Sequence, residues 1–224
     1  MNALLLLLLD SRAPAGAHHH SGGMEVAVAT GLVTGLPEVE QFCRARLRTS
    51  GQTAAAFAAA AGRLSRDAGS ARQWAELDAE FDARTPSEAM RAASRQLGGG
   101  LRRLLRAMRP DADLTAAWTQ CGPPAPHHPL VLGAGVALAG GPPELAARAA
   151  ALGACASPVS AAVRLLGLDP LGAQAMLARL APDIDRCAGQ AAASRGASLP
   201  CESAPALDLL ADVHLTAEVR LFAS

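Results

Sequence analysis

Apolar residues recur along this chain at the spacing of an α-helix, not in the strict alternation of a β-strand. Leu101, Leu104, Leu105 and Met108 fall at positions i, i+3, i+4 and i+7, and the arginines between them fall on other faces. The same spacing runs through residues 36–47. This pattern predicts amphipathic helices that bury one side in a common core.

The pattern predicts an all-α fold, a single-domain bundle of about ten helices that spans residues 1–224. The predicted helices cover residues 2–9, 21–33, 36–62, 70–82, 86–109, 112–119, 128–140, 143–155, 158–168, 170–197 and 205–218. Residues 1–20 are predicted to form a helix and a histidine-containing loop, and residues 206–224 a helix and a tail. No internal repeat is visible, which argues against a solenoid.

Helix starts are marked by a capping residue followed by proline, because a first-turn N–H has no partner within the helix. Thr85-Pro86-Ser87-Glu88 combines an N-cap, a proline at the first helical position and the glutamate of a capping box. Similar signals occur at Ser157-Pro158, Asp169-Pro170 and Gly141-Pro142-Pro143-Glu144. Loops are predicted at residues 122–129, at 195–205 and, with a weaker signal, at 62–70.

Composition supports helices and excludes several kinds of chemistry. Half of the residues are hydrophobic but only 3% are aromatic, and alanine and leucine dominate. The chain contains no lysine, which excludes a Schiff base, a P-loop lysine and a Ser–Lys pair. The net charge of +0 argues against nucleic acid as the main partner, because binding to phosphates requires a basic surplus.

Cysteine usage and the N-terminus predict a cytoplasmic protein without a membrane partner. The five cysteines are widely spaced and form no CxxC pair, which is typical of free thiols in a reducing compartment. The run from Leu4 to Leu9 is too short to span a membrane, and no basic residue precedes it. We therefore expect a buried first helix and not a signal sequence.

Two glycine- or histidine-containing segments offer alternative readings. Gly133 and Gly135 resemble a dinucleotide fingerprint, but Leu138 replaces the third glycine, so small residues in a packed helix are favoured. In an extended chain, His18 and His20 point the same way and form a candidate nickel or copper site. A solvated loop is the other reading, and it is favoured because no third ligand is evident.

Enzyme signatures are weak throughout the chain, and we predict that the protein is not an enzyme. Cys121 stands six residues before His127, but no third orienting group follows. Asp78 and Asp82 lie one helical turn apart and suit acid–base work, although a solvated helix face is favoured. The arginines of 102–109 suit an acidic partner or nucleic acid, and an exposed helix face is again favoured.

Four sequence blocks together resemble those of the UreF-type urease accessory proteins. Near the N-terminus, a leucine-rich helix leads into D-S-x-x-P-x-G (residues 10–16) and H-S-G-G-x-E (residues 20–25). Arg91-Ala92-Ala93-Ser94, with Gly98, resembles the R-x-A-S block of the family. Ser160-Ala161-Ala162-Val163-Arg164-Leu165, with Gln174, resembles its S-A-A-x-R-L block. The tail from His214 to Ser224 is similar to H-E-x-x-x-R-L-F-x-S, although Leu215 replaces the glutamate.

The resemblance implies an all-α homodimer that bridges a UreD/UreH-type protein and a UreG-type GTPase, so that the complex delivers nickel to the urease apoprotein. The protein itself would hold no firmly bound cofactor, since the complex handles the nickel, and it would regulate the GTPase. Carried over block by block, the implied partner-binding residues are Ser21, Gly22, Gly23, Glu25, Arg91, Ser94, Arg164, Gln174, His214, Arg220, Leu221, Phe222 and Ser224.

These positions also have readings that involve no partner. Arg220, Leu221 and Phe222 offer one charge and two apolar anchors for a partner's pocket, or they dock on the protein's own core. Arg164 lies at a dimer or GTPase contact, or in a buried ion pair. Ser21 contributes to a partner surface, or it only caps a helix.

Three hypotheses about function follow. The first is a dimeric helical adaptor for nickel delivery. The second is a metallochaperone that binds nickel itself through His18 and His20. The third is a small helical enzyme, which would require a pocket with perturbed titratable groups.

Overall fold

Ten α-helices and no β-strand occur in the part of the chain that the computed structural model describes, residues 2–10, 20–112, 118–202, 204–206, 209 and 212. This confirms the all-α prediction. The helices are α1 (Ala3–Leu9), α2 (Met24–Ala29), α3 (Leu36–Leu47), α4 (Ser50–Arg66), α5 (Ala71–Ala83), α6 (Glu88–Met108), α7 (His128–Leu138), α8 (Pro143–Leu166), α9 (Pro170–Arg179) and α10 (Ala181–Ala193). A short 3-10 turn follows at Gly196–Ser198.

Helices α4 and α7 form the centre of the bundle, and α4 also packs against α8 and α10. Every residue of α7 from Pro129 to Val136 is buried. A Cβ atom at Gly133 would lie 2.2 Å from the carbonyl oxygen of Ala58, so only glycine permits this approach of α7 to α4. The segment first compared with a dinucleotide fingerprint is therefore a tightly packed core helix.

Two predicted long helices are each broken in the structure. The predicted helix at 36–62 divides into α3 and α4 at a turn through Arg48 and Thr49. The predicted helix at 170–197 divides into α9 and α10 at Leu180, two residues before Pro182. Proline lacks an amide hydrogen, so it fits the first turn of a new helix. Both breaks were missed because the apolar spacing continues across them.

The start predicted at Ser157-Pro158 is wrong, because α8 continues through both residues from Pro143 to Leu166. An interior proline cannot donate to the carbonyl four residues earlier, here that of Ala154. The Nε of Arg46 donates to that carbonyl oxygen instead, at 3.1 Å. A side chain from α3 thus partly compensates for the hydrogen bond that Pro158 cannot make.

Capping differs in detail from the prediction. The N-cap of α6 is Ser87, whose Oγ accepts from the amide of Met90 at 3.2 Å, so Thr85 is not the cap. The Asp169-Pro170 start of α9 and the Pro142-Pro143 start of α8 are confirmed. The structure also shortens the predicted helix at 21–33 to α2.

Some predicted elements fall on residues whose structure is not described. For the helix predicted at 112–119, residues 113–117 lie outside the described residues, and Ala112 is not helical. Of the helix predicted at 205–218, only 205–206, 209 and 212 are described, and all four are helical.

Helices α1 and α8 are both rich in apolar residues, and in each of them only some of these residues are buried. In α1, Leu5 and Leu8 are buried whereas Leu6 and Leu7 are more than half exposed, so the first helix is buried on one side only. Among the described helices, α8 alone is long and apolar enough to cross a membrane, with a mean hydropathy of 1.5. Its buried residues pack against α4, α10 and α3, which is how a core helix is used.

Candidate partner-binding site

A groove of about 260 Å³ is bounded by α4, α6 and α8 and by the start of α7. It brings together sequence blocks that are far apart along the chain. From the N-terminal block it is lined by His20, Gly22 and Gly23, and from the R-x-A-S block by Ala93 and Ser94. Most of its wall is apolar, with contributions from Phe81, Pro86, Met90, Leu97, Pro129, Ala149, Ala150 and Ala154.

The N-terminal wall of the groove depends on two consecutive glycines in the left-handed region. Gly22 has a φ of +61° and Gly23 a φ of +89°, conformations that cost other residues free energy. The Nη1 of Arg46 donates to the carbonyl oxygen of Gly22 at 2.7 Å and so fastens this turn to α3. Ser21 is fully buried behind it, and Glu25 is half-buried in the first turn of α2. The N-cap of α2 is Gly23, so the reading of Ser21 as that cap is wrong.

The R-x-A-S block connects α6 to the segments on either side of the groove. The Nη1 of Arg91 donates to the carbonyl oxygens of Thr85 and Pro86, at 2.7 Å each, and so holds the turn before α6. The Oγ of Ser94 accepts from the amide of His128 at 3.2 Å, where α7 begins. Both predicted residues therefore shape the groove, and Ser94 also lines it.

The C-terminal segment reaches the rim of the same groove. Glu202 and Ala204 line it. Further along, the carboxylate of Asp212 accepts from the Oγ of Ser87 at 2.6 Å and from the amide of Ala89 at 3.3 Å. A carboxylate is favoured there because the first amides of α6 lack partners within the helix. The predicted residues His214, Arg220, Leu221, Phe222 and Ser224 lie outside the described part of the chain.

Arg164 and Gln174 do not join the groove. They stand on the adjacent helices α8 and α9, as predicted, and both are exposed, so the reading of Arg164 as part of a buried ion pair is wrong. Arg164 follows the groove residue Ser157 by two helical turns on the same side of α8, a distance of about 10 Å. Both residues are therefore exposed positions outside the lining of the groove.

A buried polar network beside the groove was missed in the sequence. The Nη1 of Arg95 donates to the Oδ2 of Asp78 at 3.0 Å, and its Nη2 donates to the Oδ1 of Asp82 at 3.0 Å. The Nε2 of His127 lies 2.8 Å from the same Asp82 oxygen. Asp78 is almost fully buried, so its assignment to a solvated helix face is wrong. The signal was present, because Trp74, Asp78 and Phe81 share the i, i+4, i+7 spacing of a buried stripe.

Burial and hydrogen bonding shift the pKa values within this network. Burial alone would raise the pKa of Asp82, but hydrogen bonds from His127 and Arg95 outweigh it and hold that pKa below its ordinary value. Burial lowers the pKa of His127, and the charge of Arg95 lowers it further. The network fixes the loop before α7, and with it the end of the groove at His128.

Two histidines line the groove, but the predicted metal pair is only partly visible. His20 is 9% exposed and lines the groove together with His128. Burial, followed by the charge of His20, lowers the pKa of His128 to about 4. Across the described residues, no three histidine, cysteine or acidic side chains are grouped to hold a metal. His18 lies outside those residues, so the site at His18 and His20 stays a prediction.

Comparison with known proteins identifies the family. Residues 33–181 match the family model described as UreF, which includes the R-x-A-S and S-A-A-x-R-L blocks. The chain belongs to the UreF family of urease accessory proteins. A curated UreF from Mycobacterium sp. (strain JLS) is 45% identical over 98% of this chain and 97% of its own length. UreF proteins of Mycolicibacterium vanbaalenii and Mycobacterium marinum are 44% and 42% identical, each over 99% of this chain and 98% of their own length.

Family membership confirms the resemblance first seen in the four blocks. The matches to whole relatives extend over the N-terminal and C-terminal blocks, which lie outside the region covered by the family model. Two of the four blocks, the N-terminal one and R-x-A-S, contribute His20, Gly22, Gly23, Ala93 and Ser94 to the lining of the groove.

Proposed function

We propose that this chain is a cytoplasmic helical adaptor that joins a UreD/UreH-type protein and a UreG-type GTPase in the complex that delivers nickel to the urease apoprotein. In this role it regulates the GTPase and catalyses no reaction itself. The observation that carries the proposal is the convergence of the N-terminal block, the R-x-A-S block and the C-terminal segment on one apolar groove. An apolar groove with a polar rim is a common form of docking site.

An adaptor needs at least two surfaces, and we propose two for this chain. The groove is the first, and we assign it, together with the tail that follows Asp212, to the UreD/UreH-type partner. The exposed pair Arg164 and Gln174 marks the second, which we assign to the dimer contact or to the GTPase. The net charge of +0 leaves little electrostatic repulsion against self-association.

Co-purification of the tagged chain with the urease accessory proteins of its own operon tests the groove. Ala93→Asp places a charge in the groove, whereas Ala92→Asp places the same charge on the exposed side of α6. We expect Ala93→Asp to lower recovery of the UreD/UreH-type protein by at least about tenfold, since the larger, hydrated side chain occupies space in the groove that an apolar partner segment would fill. Ala92→Asp should retain it. Equal recovery with both variants would refute the assignment of the groove.

The second surface and the tail are tested in the same assay. Deletion of residues 214–224 should abolish recovery of the UreD/UreH-type protein. An intact complex after this deletion would count against the assignment of the tail to that partner. The double variant Arg164→Ala/Gln174→Ala should instead reduce dimerisation or recovery of the GTPase while the UreD/UreH-type partner is retained. Sedimentation separates a lost dimer from a lost GTPase. Loss of every partner together would show that the two surfaces are not independent.

The alternative proposal is a nickel metallochaperone that uses His18 and His20. Its support is that His20 shares the groove with a second imidazole, that of His128. Equilibrium dialysis of the isolated full chain against Ni²⁺ distinguishes the two proposals. Tight stoichiometric binding that is lost in His18→Ala/His20→Ala would favour the metallochaperone. Binding that is weak, or unchanged by the substitutions, would favour the adaptor.

A further inference from the structure

We infer that the groove binds a carboxylate, carried by an aspartate or glutamate side chain within an apolar segment of the partner protein. This inference rests on the proposed function and specifies the chemistry that the groove recognises. It starts from side chains that line the groove and carry a buried polar atom without a hydrogen-bond partner.

Three side chains that line the groove each carry a buried polar atom without a hydrogen-bond partner: the Oγ of Ser50, the Oγ1 of Thr53 and the Nε of Arg84. Thr53 is only 3% exposed. Each of these atoms carries a hydrogen that it can donate. Buried donors without a partner are unfavourable. The three unpaired donors therefore indicate that a hydrogen-bond acceptor is missing beside Ser50, Thr53 and Arg84.

Two of the three donors follow one side of α4, and Phe57 connects the third to the same side. Ser50, Thr53 and Phe57 stand at i, i+3 and i+7 on α4, so they follow one stripe of the helix. The guanidinium of Arg84 lies over the ring of Phe57, with its Cζ 5.7 Å from the ring centroid. Arg84 thereby contacts this stripe of α4 at Phe57, one helical turn after Thr53. Glu80, on the preceding turn of α5, pairs with the Nη1 of Arg84 and leaves Nε for another acceptor.

Counting acceptor sites favours a carboxylate over a neutral group. An ionised carboxylate offers about four lone-pair positions on two oxygens, whereas a carbonyl offers two on one oxygen. Of these two groups, only the carboxylate has enough lone pairs to accept from two hydroxyls and a guanidinium N–H together, and hydrogen bonds between charged groups are the stronger kind. The apolar wall at Met90, Leu97 and Ala150 suits aliphatic neighbours of that acidic residue.

A small carboxylate probe tests this chemistry without any partner protein. Binding of 4-phenylbutyrate to the full chain is compared with binding of its neutral amide, 4-phenylbutanamide, by calorimetry or by ligand-observed NMR. We expect the acid to bind at least about tenfold more tightly. Thr53→Val, which keeps the shape of the side chain, should weaken binding of the acid at least about fivefold, and Arg84→Met should weaken it to a similar extent. Thr49→Val is the matched control, because the Thr49 hydroxyl already donates to the Ala45 carbonyl oxygen.

Equal binding of acid and amide, or no effect of Thr53→Val, would overturn the inference and leave water as the acceptor.

The source of the carboxylate is tested by deleting residues 213–224 of the chain. A tenfold gain in affinity for the acid after this deletion would mean that the protein's own tail fills the groove, and it would refute assignment to a partner. A dimer weakened by Thr53→Val in sedimentation would refute it in favour of a second copy.

The co-purification assay then separates this inference from the proposed function. If the probe behaves as expected but no accessory protein is recovered with the unaltered chain, the proposed function fails and the carboxylate site stands. If the complex forms normally while acid and amide bind alike, the carboxylate inference fails alone. If both hold, Thr53→Val should also reduce recovery of the partner, and Thr49→Val should not.

Discussion

The guanidinium of Arg95 and the carboxylate of Asp78 form a buried ion pair, with 3.0 Å between Nη1 and Oδ2. Asp78 also accepts from the amides of Gly122, at 2.9 Å, and His127, at 3.0 Å. Arg95 donates to the carbonyl oxygens of Gly122 and Ala125. One ion pair thus joins α5 and α6 to the loop that leads into α7, and it fixes one end of the groove.

Removal of the Asp78 carboxylate should destabilise the protein strongly. Asp78→Ala leaves Arg95 as a buried charge with only carbonyl and Asp82 partners, and it orphans two amides, so we expect a loss of about 3–5 kcal/mol. Glu76→Ala, two residues away on α5, removes only an exposed pair with Arg72 and should cost less than about 1 kcal/mol. Urea unfolding measures both. A loss from Asp78→Ala no larger than that from Glu76→Ala would contradict the role of the network.

The sequence predicted the helices better than their ends. Apolar spacing identifies which segments are helical, because it reflects burial of one face, but it passes unchanged through the turn at Thr49 and through Leu180. Pro158 shows the opposite error. Its sequence predicted a helix start, but α8 continues through it. The Nε of Arg46, 112 positions before Pro158, donates to the carbonyl oxygen of Ala154, which the proline cannot reach with an amide hydrogen. Such tertiary compensation cannot be deduced from local pattern.

The candidate site was predicted as separate blocks and not as a surface. The sequence identified Ser94 and Gly22, but nothing in their spacing indicates that both line one groove. Asp78 was wrongly predicted to lie on a solvated helix face because charged residues are usually exposed. Its spacing from Trp74 and Phe81 nevertheless indicated that it belongs to the buried stripe of α5. The orphaned hydroxyl of Thr53 depends on the packing of three helices and required the structure.

Stability should fall as the solution is acidified from about pH 6.5 to about pH 4. The pKa of His128 is lowered from 6.5 to about 4, first by burial and then by the charge of His20. Above pH 6.5 neither the folded nor the unfolded chain protonates this imidazole, so its contribution is unaffected there. Between the two values the unfolded chain binds a proton that the folded chain does not, which favours unfolding. His127, whose pKa is also lowered by burial, acts in the same direction.

A full shift at His128 corresponds to roughly 3 kcal/mol, and the partial solvent exposure of the residue reduces our expectation to about 2 kcal/mol. Between pH 7 and pH 4, the free energy of unfolding of His128→Gln should therefore fall by about 2 kcal/mol less than that of the unaltered chain. The lowered pKa of Asp82 contributes only at lower pH, below its ordinary value of 3.8. Urea unfolding at a series of pH values measures the difference. Parallel curves for the two proteins would contradict a half-buried His128 that stays neutral at pH 5.

Two glycine substitutions on different helices should have opposite effects. In Gly133→Ala the new Cβ would lie 2.2 Å from the Ala58 carbonyl oxygen and 2.8 Å from the Gly62 amide nitrogen, so α7 must move away from α4. We expect a loss of about 2 kcal/mol or more, because overpacking outweighs the better helix propensity of alanine. Gly189→Ala, on the exposed side of α10, meets nothing within 4 Å and should stabilise by about 0.5–1 kcal/mol. Stabilisation by both would show that α4 and α7 are not in close contact.

The five cysteines should differ sharply in their reactivity towards a thiol reagent such as DTNB. Cys201 is exposed, whereas Cys43, Cys155 and Cys187 are buried and Cys121 is half-buried. The thiolate is the reactive form, and burial raises the pKa of Cys121 to about 12 and that of Cys187 to about 11. At pH 8 we expect one fast-reacting thiol in the native protein and five in urea.

Cys43 makes this experiment a test of access and not only of ionisation. A hydrogen bond with the Cys155 thiol lowers the pKa of Cys43, which would favour reaction if the reagent could reach it, but Cys43 has no exposed surface between α3 and α8. Cys201→Ser should therefore remove the entire fast phase. A fast thiol that remains in this variant and disappears in Cys43→Ala would show that α3 and α8 separate readily in the native protein. Because α8 also forms a wall of the groove, such opening would extend to the groove itself.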